Sequence, residues 1–231
     1  MTNRFFISPD SIKNGNFEIT DTPIIHQMTK VLRFQVGENL ELLDNTGKIY
    51  AAEVTDISKK KVSGIINNVT DVPDRPKFNI NLCIALLKGD KLDLVFQKGT
   101  ELGISMFTPM ITTNCVKKSS KNSDRWLKIV QEASEQSNRT QVPVINDVMK
   151  FEEVIEKYSP GFICYEPAGA KLRDKENPIG EDLNIYIGPE GDFTEAELEA
   201  ALIKKLEPVN LGSNRLRAET AAITAMAILN I

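Results

Sequence analysis

The chain has 231 residues, with 28 Lys and Arg against 32 Asp and Glu and a net charge of −4. Its length allows one large domain or two modest ones at roughly 100–200 residues each, and its overall charge argues against a protein coated in nucleic acid, leaving a local basic patch to make any such contact. No run approaches the roughly 18 apolar residues of a membrane helix, and MTNRFFISPD is too short and polar for a signal peptide, so no membrane association and a cytoplasmic location are expected.

The first 70 residues read as mostly β. The exception is TPIIHQMTKVLRF, a short amphipathic helix with Thr22 as N-cap and Pro23 at its first helical position. His26, within it, is the sole histidine. A Ser-His-Asp triad or a HExxH zinc site would have to rest on that residue, and nothing around it fits, so no metal is expected. GENLELLDNTGKIYAAEVTDI then places two alternating apolar runs around Asp44-Asn45-Thr46-Gly47, which is hairpin chemistry. A third run, VSGIINNVT, follows the Lys59-Lys60-Lys61 turn, giving a small barrel or sandwich with one helix.

DVPDRP, with two prolines and three charges, reads as a linker. Beyond it strands and helices alternate. The strand-like runs are NLCIALL, MFTPMIT, GFICYE, LNIYIG and PVNLG, and helical runs lie near 90–102, 124–138, 150–158, 195–205 and 218–230. Near-continuous apolar strands separated by helices indicate a mostly parallel sheet covered on both faces. Cys83, Cys115 and Cys164 are odd in number and far apart without CxxC spacing, so buried free thiols are expected.

Four segments of this second half carry chemistry. In LKGDKLDLVFQKGTELGI, Lys98 and Glu101 share a helix that leads into the next strand. VKKSSKNSDRWLK is the basic patch: Lys117, Lys118, Lys121, Arg125 and Lys128 oppose only Asp124, a pattern that a solvated surface would also give. In the helix RWLKIVQEASEQSNR, Trp126, Val130, Ala133 and Ser137 form a core stripe, and the opposite stripe ends at Gln136 and Arg139, an amide and a guanidinium.

NIYIGPEGDFTEAELEAA and VNLGSNRLRAETAAITAMAIL each read as strand, glycine turn, helix. In the first, Thr194 and Glu197 form a capping box, and Gly188-Pro189-Glu190-Gly191 sits at the C-terminal end of a strand, where open α/β sheets bind ligands. A tight turn using glycine for its φ gives the same pattern. The second places Arg215 and Arg217 just before a helix N-terminus, each costing about 0.3–1 kcal/mol against the dipole. An anion shared by the two would explain them, and a salt bridge to Glu219 is the plainer alternative. Dinucleotide and P-loop fingerprints are absent, so a cofactor here needs another architecture.

In this order the motifs resemble the RsmE family of knotted SPOUT methyltransferases, which methylate N3 of a uridine in 16S ribosomal RNA. The likeness runs from Arg4-Phe5-Phe6 and KVLR through KGDKLDLVFQKGTELGI, TPMIT and RWLKIVQEASEQSNR to IGPEGDF and LGSNRLRAETA, which is essentially the whole chain. It implies an α/β fold: a SPOUT-type knotted, mostly parallel sheet flanked by helices (residues 73–231, with a C-terminal trefoil knot) after a small PUA-like β-barrel that binds RNA (residues 1–72). It also implies a homodimer, S-adenosylmethionine as cofactor, and 16S RNA or the 30S subunit as partner. The cofactor loops become Ile187, Gly188, Pro189, Glu190 and Gly191, then Leu211, Gly212, Leu216, Arg217 and Thr220. Candidate RNA contacts are Arg4, Arg33, Lys98, Lys117, Lys118, Lys121, Arg125, Gln136 and Arg139. Arg217 is the first candidate, and Arg139 the second, to stabilise charge on the uracil carbonyls, with Glu190 or Glu219 as proton acceptor or as turn and cap residues. The family often has glycine where this chain has Asp192, and arginine where it has Asn214. A SPOUT enzyme for another RNA position, or a non-catalytic ribosome-assembly factor, are the alternatives.

Overall fold

The structure, a computed structural model of the chain, describes residues 2–72, 79–116, 123–175 and 182–230. It divides into two compact units: Met1–Asp74 with Ser134–Val142, and Arg75–Ala133 with Pro143–Ile231.

The first unit holds β1 (Arg4–Phe6), β2 (Ile12–Lys13), β3 (Asn16–Ile19), the helix α1 (Thr22–His26), β4 (Asn39–Leu43), β5 (Lys48–Ile57) and β6 (Val62–Asp71). Its six-stranded sheet runs β1-β4-β5-β6-β3-β2, antiparallel except where β1 pairs with β4. The expected hairpin joins β4 to β5. Asp44 Oδ1 accepts from Thr46 N (3.0 Å) and Oγ1 (2.6 Å), and Asn45 and Gly47 supply the positive φ angles (65° and 93°) that such a loop needs. Alternation buries one face of these strands around Phe5, Phe17, Ile19, Leu40, Leu42 and Val54. One expectation is corrected: α1 is capped by Asp21, whose side chain accepts from Ile24 N (3.0 Å), and not by Thr22. Both residues are good caps, and the carboxylate one place earlier takes the role while Pro23 stays in the first turn.

The chain returns to this unit at the end of a later helix. Arg4 Nη1 donates to Asn138 O (3.0 Å), Val142 N donates to Asn45 Oδ1 (2.7 Å), and Phe6 N donates to Glu135 Oε1 (3.4 Å).

The second unit contains β7 (Ile80–Ala85), α2 (Lys91–Glu101), β8 (Met106–Ile111), α3 (Ser123–Gln136, shared with the first unit at its end), β9 (Val144–Ile145), β10 (Met149–Lys150), α4 (Phe151–Lys157), β11 (Gly161–Cys164), β12 (Leu183–Ile187), α5 (Glu195–Ile203), β13 (Leu206–Val209) and α6 (Ala218–Asn230). All its strand pairs are parallel, in the order β10-β8-β7-β12-β11-β13, with β9 beside β8. Every residue of β7 and β12 is buried, as strands covered on both faces must be. A polar ladder crosses this apolar sheet: Thr108 Oγ1 donates to Asn81 Oδ1 (2.8 Å) and Asn81 Nδ2 to Asn184 Oδ1 (2.9 Å). A one-residue slip of any of the three strands would leave buried amides unpaired, so the ladder fixes the register that aligns the strand ends. This is the mostly parallel, helix-flanked sheet that the resemblance implied. The three cysteines are unpaired, and no helix among the described residues is long and apolar enough to cross a membrane.

Candidate active site

β12 is central, and β11 and β13 follow it to one side. In register, Ile163 pairs with Tyr186 of β12 and with Pro208 of β13, so the three strands end together. Their exits enclose a cavity of about 340 Å³, lined by residues 164–166 after β11, by 187–190 and Asp192 at the end of β12, and by 209–212 and 214–218 after β13, with Ala221 of α6. That volume is at the small end of the roughly 300–1,000 Å³ range of ligand sites.

The chain folds locally to leave this space open. At Gly188 a Cβ would come within 3.2 Å of the Phe193 ring and 3.3 Å of Asp192 Oδ1, so a side chain there would have to push its own loop aside by a few tenths of an ångström. Gly212 has φ +146°, which L residues rarely adopt. The loop after β12 is then pinned from outside. The expected capping box is present, with Thr194 Oγ1 accepting from Glu197 N (3.2 Å) and Glu197 Oε2 accepting from Thr194 N (2.9 Å). Glu197 Oε1 also accepts from Thr113 N (2.8 Å), and Asn114 Nδ2 donates to the carbonyls of Gly191 and Asp192 (both 3.0 Å).

Asp192 occupies a left-handed position, φ +61°. Asp and Asn are the residues that tolerate it best after glycine, and Oδ1 accepts from Phe193 N (2.8 Å), which holds the turn. Its carboxylate lines the cavity. Burial pushes its pKa up, only partly countered by the Phe193 N–H and Arg215.

Glu190 behaves oppositely. Its Oε1 meets Lys91 Nζ (3.0 Å) and Lys88 N (3.3 Å). Burial alone would raise its pKa, but these partners together hold it below the usual carboxylate range. Glu219, in the first turn of α6, lies 3.3 Å from the same ammonium and outside the cavity lining.

Of the expected cofactor residues, Ile187, Gly188, Pro189, Glu190, Leu211, Gly212, Leu216 and Arg217 line the cavity, whereas Gly191 and Thr220 lie outside it. Of the two arginines expected to share an anion, one has a partner within the chain. Arg215 Nε pairs with Glu166 Oε2 (3.3 Å), and only Arg217 is exposed without an ion pair among the described residues. Sequence reasoning missed the third wall, residues 164–166, and the acceptor Asn210. Asn210 Nδ2 donates to Ala168 O, while its Oδ1 is buried without a partner among the described residues and the residue lines the cavity. Of the charged residues in the lining, Glu166 is paired with Arg215 and Glu190 with Lys91, which leaves Asp192 and Arg217 without an ion pair among the described residues.

The expected RNA contacts fall in both units. Lys117, Lys118 and Lys121 lie outside the described residues. Arg4 pairs with Glu41 (2.6 Å), Lys98 with Glu101 (2.8 Å) and Arg125 with Asp93 (2.5 Å). Arg33 is exposed at a positive φ of 56°. Gln136 is exposed, and both it and Arg139, whose N–H donates to Ser134 O (3.0 Å), belong to the first unit. Among the described residues no group of three or more His, Cys, Asp and Glu is placed to hold a metal.

Comparison with known proteins gives this geometry a family. Residues 74–230 match the RNA methyltransferase domain, and residues 19–67 match the RNA methyltransferase PUA domain. Ribosomal RNA small subunit methyltransferase E of Rickettsia conorii is 35% identical, with 97% of this chain and 93% of that protein covered. Its Bacillus subtilis counterpart is 31% identical, covering 93% and 89%. The crystal structure of the Neisseria gonorrhoeae protein of that name, bound to S-adenosyl methionine, superposes with a TM-score of 0.90 at 30% identity, covering 98% of this chain and 96% of that one. A Legionella pneumophila putative methyltransferase, also with bound SAM, gives 0.89 at 31% identity, covering 99% and 97%. The chain belongs to the ribosomal RNA small subunit methyltransferase E family.

Proposed function

We propose that this chain methylates N3 of a uridine in 16S ribosomal RNA, in the decoding region near the 3′ end, with S-adenosylmethionine as methyl donor. The observation that carries the reading is the cavity where β11, β12 and β13 end. Its chemistry fits the donor: a cation would meet the Asp192 carboxylate, which has no ion pair among the described residues, and an amine of the donor would satisfy the orphaned Asn210 Oδ1. Ile187, Pro189, Leu211 and Leu216 would supply apolar surface for an adenine, and residues 187–190, 211–212 and 214–217 would hold the rest. The bound donor supplies a methyl group made electrophilic by a sulfonium.

The chain's own part is electrostatic. Uridine N3 carries a proton at neutral pH, and as it leaves, negative charge spreads to the two carbonyl oxygens. The guanidinium of Arg217, exposed at the cavity and without an ion pair among the described residues, would stabilise that charge in the manner of an oxyanion hole. Lys91 helps hold Glu190 below the usual carboxylate range, which disfavours it as a base, and the proton's acceptor is left open. The reading includes a homodimer, with the N-terminal unit (residues 1–72 in the sequence division) as an RNA-holding part and Arg139 as a further RNA-facing cation. Sedimentation at twice the chain mass would support the dimer.

The decisive experiment incubates unmodified 30S subunits, or free 16S RNA, with the protein and S-adenosylmethionine and analyses the nucleosides by mass spectrometry. N3-methyluridine is the expected product. A different methylated nucleoside moves the chain to another RNA position, and RNA binding without any methylation makes it an assembly factor.

A further inference from the structure

α2 opens with a cation at the wrong end of its dipole. Lys91 is its first residue, and Asp90 before it makes no side-chain cap bond. The compensation is tertiary. Lys91 Nζ lies 3.0 Å from Glu190 Oε1 and 3.3 Å from Glu219 Oε2. The first contact is a hydrogen bond. The second is an ion pair without hydrogen-bond direction, since Glu219 Oε2 is buried and accepts no hydrogen bond. Lys91 is therefore the only charge partner of Glu219 among the described residues. Glu190 belongs to the loop after β12, and Glu219 follows directly on the loop after β13. These loops form two of the three walls of the cavity, while Lys91 lines none of it.

We propose that Lys91 is a positioning residue for the methyl donor: one ammonium ties the Gly188–Gly191 turn to the start of α6 and so sets the spacing of the two walls that bind S-adenosylmethionine. The inference rests on the reading of the cavity given above. Without the ammonium two carboxylates face each other uncompensated, and their repulsion separates the walls. An arginine fork can span the same two carboxylates, whereas an uncharged chain of similar length cannot.

Calorimetric titration with S-adenosylhomocysteine, the demethylated donor, tests this without turnover. For Lys91→Met, affinity is expected to fall about ten-fold, the loss of one charge-assisted hydrogen bond at a partly screened site. Lys91→Arg is expected to restore it to within about three-fold, since the fork remakes both ion pairs. A merely structural defect would lower the number of sites per chain and leave the affinity of those remaining unchanged, and that result overturns the proposal. So does a Lys91→Met protein that binds as the wild type does. If Lys91→Met does not fold, Glu219→Gln, which severs one arm only, carries the test: weaker binding supports the brace and wild-type binding overturns it. No binding by the wild-type protein overturns the reading of the cavity and the brace with it, whereas normal wild-type binding with an unaffected variant overturns the brace alone.

Discussion

Arg217→Ser should make the protein more stable and nearly inactive. Ala221 N donates to Arg217 O (2.7 Å), the first bond of α6, which places Arg217 at the N-cap. Arginine cannot cap, and its charge opposes the dipole by about 0.3–1 kcal/mol. Serine caps, a gain of about 1 kcal/mol over a non-capping residue. The guanidinium is exposed and makes no ion pair among the described residues, so its removal forfeits little. The sum is about 1–2 kcal/mol, and at about 2–4 °C per kcal/mol for a protein of this size the melting midpoint should rise by several degrees. Turnover should fall by about 10²–10³, the 2.7–4 kcal/mol attached to an oxyanion-hole donor. Transfer of a radiolabelled methyl group to 16S RNA measures the second effect, and scanning fluorimetry of the unliganded protein the first. Arg217→Ala separates them, because it removes the charge without adding a cap: the same loss of rate is expected with a smaller rise in midpoint. Turnover within about three-fold of wild type in either variant would refute the electrostatic role, however good the stability argument. A lowered midpoint for Arg217→Ser would refute the cap.

At Asp192, alanine should destabilise by about 1–2 kcal/mol, because a Cβ in the left-handed region then lacks the Oδ1 bond to Phe193 N that offsets it. Asp192→Asn should instead stabilise at neutral pH. Burial raises the native pKa, so the aspartate favours folding below its ordinary value of 3.8 and loses that contribution as pH rises through the native value. Denaturant midpoints should therefore show a gain for Asn at pH 7 that vanishes below the ordinary Asp range; a gain that persists in acid contradicts the assignment. In the first unit, Tyr50→Phe should cost about 1.5–3 kcal/mol, the worth of a hydrogen bond to a charged group, because Tyr50 OH donates to Asp44 Oδ2 (2.8 Å) and Asp44 is 6% exposed. Burial and then Asp44 push the Tyr50 pKa up to about 12, so its contribution is intact below pH 10 and lost as pH rises through about 12. Burial would raise the Asp44 pKa, but Thr46 and Tyr50 more than offset it, so that contribution is present above 3.8 and lost as pH falls through the lowered native value. Absorbance titration of the phenol in wild type against Tyr50→Phe reads the first, and acid unfolding the second.

The elements were legible where local chemistry decides them. Period-two alternation around Asp44–Gly47 produced the β4–β5 hairpin, and Thr194 with Glu197 produced the start of α5. The cap of α1 was misplaced by one residue because Asp21 and Thr22 are both competent, and only the direction of a side chain separates them. What depends on distant pairing was not legible. GFICYE announces a strand but has no glycine at its exit, so nothing local marks residues 164–166 as a wall of the cavity; parallel register with β12 and β13 does. Likewise Asn210 reads as a strand-end residue until its amide is seen held by Ala168 O with its oxygen left unsatisfied. Residues 134–142 look like the tail of α3, and only their bonds to Arg4, Phe6 and Asn45 place them in the first unit.

Three cations that stand against helix dipoles are accommodated differently in the structure. Lys91 at the start of α2 is satisfied twice, by Glu190 and Glu219. Arg215 turns to Glu166, in a pair exposed enough to contribute little to stability. Arg217 has neither compensation, yet it occupies the N-cap of α6, where its cost is greatest and any small polar residue would serve the helix better. An unfavourable placement with no internal partner calls for a partner outside the chain. On the proposed reading, the site requires positive charge for the anion that forms on the acceptor base. Arg217 lines the cavity, and the proposed electrostatic role would account for its cost to the fold.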